Sequence, residues 1–166
     1  MKNKIIPLIL IMIIIIVALS GCIQSGIDNI NDIAPTINDH LKKGDDYYNQ
    51  ASLNVNNYLL DNASSDCDNA ISEFNAAKSS AEQALTYAQD SNNSVFINYM
   101  QDTVGEIDSK LNATLELQQA IPYFQQKDSL DGNSHVVLAN QFMDQAIEYK
   151  AKKDSLVKQN PSKFKQ

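Results

Sequence analysis

The chain has 166 residues, with 13 Lys, no Arg, 15 Asp and 5 Glu, and a formal charge of −7. That length gives one domain with a core of useful size, and an acidic balance without Arg argues against nucleic acid as a partner, because binding a phosphate backbone relies on cationic side chains. Two cysteines, Cys22 and Cys67, exclude a disulfide-stapled scaffold.

Lys2 and Lys4 precede an apolar run from Ile5 to Leu19, broken in polarity only by the ring of Pro7. Its 15 residues match the hydrophobic stretch of a secretory signal. They fall short of the roughly 20 that span a bilayer as a helix. The run ends in Leu19-Ser20-Gly21-Cys22, an aliphatic residue, two small residues and a thiol. This motif resembles the lipobox of prokaryotic lipoproteins, and the resemblance covers about the first 22 residues. It implies a lipid thioether on Cys22, cleavage after Gly21 and export of the remainder to the extracytoplasmic face of the cell membrane. Without an Arg-Arg pair, the general secretory route is expected. The alternative is an uncleaved anchor running through Ile23, about 28 Å long. Both place the body outside the cytoplasm, with Lys2 and Lys4 inside.

The expected organisation is a signal peptide over 1–21, the lipidated Cys22 with a polar tether to residue 34, and a helical domain over 35–166. Beyond the tether the apolar period is helical throughout. A first helix is predicted from Pro35 to Leu60, with Ile37, Leu41, Gly44, Tyr48, Ala51, Val55 and Tyr58 on one stripe. Asp61-Asn62-Ala63-Ser64 reads as a break, and Ser65 with Asp68 as a capping box. A second helix over about 66–90 carries Cys67, Ala70, Phe74, Ala77, Ala81, Ala84 and Ala88, a seam that lets a neighbour approach closely. Ser91-Asn92-Asn93-Ser94 supplies the next turn. A third helix begins near Val95 and bears Ile97, Met100, Val104, Ile107, Leu111, Leu115 and Ile121, with Pro122 ending or kinking it. Asp131-Gly132-Asn133-Ser134 reads as the clearest turn. A last helix over about 135–159 presents Leu138, Phe142, Ala146, Tyr149 and Leu156 and stops at Asn160-Pro161.

Four long amphipathic helices with short connectors predict an all-α antiparallel up-down four-helix bundle. The alternative is a pair of helical hairpins: Ala70, Phe74 and Ala77 resemble the second helix of a tetratricopeptide repeat, with a fainter echo in Ala139, Met143 and Ala146.

Candidate chemistry is sparse. Cys67 fits the Ala seam as a small apolar residue better than as a reactive thiol, and Asp66 and Asp68 oppose its ionisation. His40 and His135 are expected at opposite ends of antiparallel helices, which argues against a shared metal. The spacings of zinc, di-iron or calcium sites do not occur. No enzymatic motif and no cofactor loop emerges, and the carboxylates read as outward helix faces. Asn62 and Asn92 are candidate glycosylation sites in expected turns, whereas Asn112 falls in a helix. From Lys150 to the end there are 6 Lys and one Asp, a basic tail that an up-down bundle would return to the membrane side. The expected function is a lipid-anchored lipoprotein presenting its bundle for protein binding or scaffolding at the cell surface. A small-ligand receptor or sensor with a pocket between helices near Pro122 and the Tyr residues is the alternative.

Overall fold

Stripes of apolar residues spaced three and four apart are buried only when helices lie side by side. The computed structural model describes the backbone of residues 5–164, and their side chains from Gly26 onward. It contains α1 (Ile5–Asn56), α2 (Leu60–Asp90), α3 (Ser94–Gln125) and α4 (Ser129–Gln159). The fold is all-α, a four-helix bundle in up-down order.

The alanine seam organises one half. Ala63, Cys67, Ala70, Phe74, Ala77, Ala81, Ala84 and Ala88 are all fully buried, in unbroken steps of four and three. Opposite them, Ile37, Leu41, Tyr48, Ala51 and Val55 fill the facing stripe of α1. Gly44 is the point of closest approach: a Cβ there would lie 2.4 Å from Cε1 of Phe74. The α3–α4 pair repeats the device, with Gly105 against Tyr149 and Gly132 against Phe124. The two hairpins join through α2 and α3, where Lys78 bonds Asp108 at 2.7 Å and Gln118 donates to Asp68. Asp108 raises the pKa of the Lys78 ammonium, fixing its charge at this seam.

Several boundaries differ from expectation. The segment 23–33, expected as a tether, belongs to α1. From Gly26 it packs: Gly26 sits against Ser91 and Tyr87, Ile30 is buried, and Ile27 and Ile33 lean on the core. Ile30 precedes Ile37 by two helical turns, so the apolar stripe already runs through the supposed tether. Pro35 lies inside the helix rather than at its start, with its ring exposed. The α1–α2 turn falls at Asn57–Leu59 instead of 61–64, so Ser65 and Asp68 lie inside α2 and form no capping box. Likewise Asp131–Ser134 lies in the first turns of α4, and the true turn is 126–128. Pro122 ends nothing: α3 runs on to Gln125. Of the predicted stripes, Tyr58, Leu115 and Leu138 are exposed. The C-terminal limit at Gln159 agrees with the sequence, and α3 starts at Ser94, one residue before the expected Val95, with its cap at Asn93 inside the expected turn.

The bundle is open on one side. No Cα of α1 lies within 8 Å of α4 among the described residues. Among the residues whose side chains are described, no helix is long and apolar enough to cross a membrane. The lipobox side chains of Leu19, Ser20, Gly21 and Cys22 lie outside that set, as does Lys165 of the basic tail.

Candidate functional site

Because α1 and α4 do not meet, α3 forms the floor of a groove with those two helices as walls. Three hollows follow one another along it. The first lies between Ile30–Asn38 of α1 and the start of α3, the second beside Asp45 and Asn49, and the third beside Tyr48, Val55 and Ala139. Counted along α1, the groove is about 35–40 Å long.

Its centre is charged and buried. Glu106 of α3 is 4% exposed. Its Oε1 lies 3.3 Å from Nζ of Lys110, one turn on, and its Oε2 lies 2.6 Å from Nζ of Lys153 of α4. Lys110 in turn donates to both carboxylate oxygens of Asp45 in α1, at 2.7 and 2.8 Å. The row Asp45–Lys110–Glu106–Lys153 thus ties three helices together across the opening, two anions alternating with two cations. Two aromatic rings lie near the ammoniums: Phe74 is 5.9 Å from Nζ of Lys110 and Tyr99 is 5.6 Å from that of Lys153. Burial, with Glu106 and Asp154 nearby, pushes the Tyr99 phenol up, so it remains a donor at neutral pH.

Buried hydroxyls complete the polar face of α3. Thr103 donates to the carbonyl of Tyr99, Ser109 to that of Gly105 and Thr114 to that of Lys110, each at 2.8–2.9 Å. Such back-bonded hydroxyls are satisfied by their own helix. The groove therefore offers shape and fixed charge.

The expectation that carboxylates follow outward faces fails at Glu106. The signal was present, because Thr103, Glu106, Lys110 and Thr114 repeat at three and four, a polar stripe beside the apolar one. It was missed because burial of both faces cannot be told from an ordinary amphipathic pattern.

The remaining sequence candidates lie apart. His40 Nδ1 pairs with Glu73 Oε2 at 2.6 Å across α1 and α2. His135 Nδ1 pairs with Glu116 Oε2 at 2.7 Å across α4 and α3, and stacks on Tyr123. Each imidazole thus staples one hairpin, and the two share no partner. Cys67 is fully buried, and its pKa is pushed up to about 12 by burial first and by Asp68 and Asp66 next. Asn62 is exposed but helical, in the first turn of α2, correcting its assignment to a turn. Asn92 is exposed in the α2–α3 turn with φ 51, and Asn112 is exposed on α3. A hollow lies at the opposite end from Pro122, among Phe96, Tyr99 and Phe164. Comparison with family models, with curated proteins and with solved structures finds no match for this chain.

Proposed function

We propose that the protein is a membrane-anchored extracytoplasmic lipoprotein that holds its bundle out from the cell surface for a protein partner. The observation that carries this reading is the polarity of α1. This one helix bears the lipobox Leu19-Ser20-Gly21-Cys22 near its start, and it ends at an apolar tip. At the tip Leu53, Tyr58, Leu59 and Leu130 are 60, 63, 50 and 79% exposed. They come from the end of α1, the α1–α2 turn and the beginning of α4, and the ring of Tyr58 reaches Phe124 of α3 at 6.0 Å. Large apolar side chains gathered on one exposed surface mark a place that another molecule covers. The partner is taken to be a protein, since the one lysine of these turns, Lys127, stands among Asp61, Asp128 and Asp131, an acidic balance that does not suit nucleic acid.

A photo-crosslinking residue at Leu59 or Leu130, compared with one at exposed Asn98 of α3, tests this in intact cells. The reading expects a discrete protein adduct from both tip positions and none from Asn98. It also expects the combined Leu59→Asp and Leu130→Asp changes to weaken the complex without altering helix content. No adduct from the tip, or equal adducts from Asn98, would contradict it.

A further inference from the structure

At the end of the groove away from the tip lies a cavity of about 200 Å³. Ile30, Ala34 and Ile37 of α1 and Phe96 and Met100 of α3 form its walls. Phe164, beyond α4, folds back to close one side, its ring 5.2 Å from that of Phe96 and 5.1 Å from that of Tyr99. A cavity of roughly 150 Å³ takes a benzene ring. This one has room for a ring with a short substituent, or a short acyl chain, and excludes a diacyl lipid.

Two ammonium groups reach the same cavity, in a chain whose formal charge is −7. Lys153 is held by Glu106 at 2.6 Å and by the Tyr99 ring, so its position is set in advance. An ammonium has three N–H donors, and its contact with Glu106 is an ion pair. Lys163 enters from the carboxyl-terminal segment, where its ammonium donates to the neutral side-chain oxygen of Asn93 at 3.3 Å. Asn38 and Thr103 add neutral polar groups to the lining. An apolar hollow with a few convergent polar groups at one side is the usual form of a small-molecule site. Lysines select for an anion there.

We propose that this cavity binds a small organic carboxylate, its ring or short chain among the apolar side chains and its carboxylate between Lys153 and Lys163. The site stands at the opposite end from the tip, and its test requires no protein partner, so either reading can fail without the other.

The test is titration of the full chain, held in phosphatidylcholine nanodiscs, with phenylacetate and with its uncharged isostere phenylacetamide, followed through the aromatic signals of Tyr99 and Phe164. The acid should bind about tenfold more tightly than the amide, since hydrogen bonds to a charged acceptor are the stronger kind. Lys163→Gln, in an exposed segment, should leave thermal unfolding unchanged, weaken the acid by about threefold or more and leave the amide alone. Ala34→Phe, which places a ring in the cavity wall, should remove binding of both. Equal affinities for acid and amide, undiminished binding to the Ala34→Phe variant, or the lack of any saturable response would each overturn the proposal.

Discussion

Glu106 is the residue on which the open side of the bundle depends. Its carboxylate is buried with two lysine ammoniums against it, and one of those, Lys110, also holds Asp45. Removing one member of a buried ion pair leaves the other charge desolvated and unpaired, at a cost of about 3–5 kcal/mol. Glu106→Gln keeps the shape and removes the charge, so urea denaturation should show a loss near the lower end of that range. A loss like that of an exposed pair, about 0–1 kcal/mol, would mean that the row does not hold α1, α3 and α4 together. Cys67 makes a second prediction. Its folded pKa is raised from 9.0 to about 12, so its neutral form is favoured in the folded state. Its contribution is fully present below pH 9 and is lost as pH rises from there to about 12. Cys67→Ala should therefore lose less stability than the parent between neutral pH and about pH 11. Equal losses would place the thiol in a more solvated site.

Among the elements, glycines and turns show where pattern and structure part. Gly132 reads as a turn residue, yet no glycine in the described chain has positive φ. It is helical and serves close packing, since a Cβ there would sit 2.6 Å from Phe124. The turns themselves are made by Tyr58, Asn92 and Lys127, at φ 56, 51 and 62. Two of these are residue types that seldom take that conformation, so nothing in Asn57-Tyr58-Leu59 or Gln126-Lys127-Asp128 announces a break. The helix stripes were legible because burial enforces their period. Cys67 through Ala88 and Ile37 through Val55 match the structure residue by residue. Of the connections only that at Ser91–Asn93 was legible, and the turns at 57–59 and 126–128 were not, because local chemistry there yields to the lengths that packing demands. Two substitutions test this division. Lys127→Gly relieves the left-handed backbone and should stabilise by about 1 kcal/mol. Gly44→Ala gains about 1 kcal/mol of helix propensity, yet pushes a methyl into the fully buried ring of Phe74. We expect a net loss of about 1–2 kcal/mol, since overpacking typically costs about 1–3 kcal/mol. Chemical denaturation of both variants decides, and a loss of stability in Lys127→Gly or a gain in Gly44→Ala would refute the assignment of turn and packing roles.

On the scale of the whole molecule, two tightly packed hairpins join through α2 and α3 and leave a groove between α1 and α4. The groove was invisible to periodicity, which says which face is buried but not which helices meet. Its buried charges, its cavity beside Phe164 and the apolar tip at the other end give the bundle two distinct ends. The proposed lipid anchor at Cys22 would turn the Gly26 end toward the membrane and the turns at 57–59 and 126–128 away from it. Everything in that orientation depends on Cys22. Mass spectrometry of the amino-terminal peptide of the protein isolated from native membranes tests it most directly. The account predicts a chain that begins at Cys22 and carries a diacylglyceryl thioether on its sulfur. A peptide that retains Met1, with Cys22 present as an unmodified thiol, would contradict it.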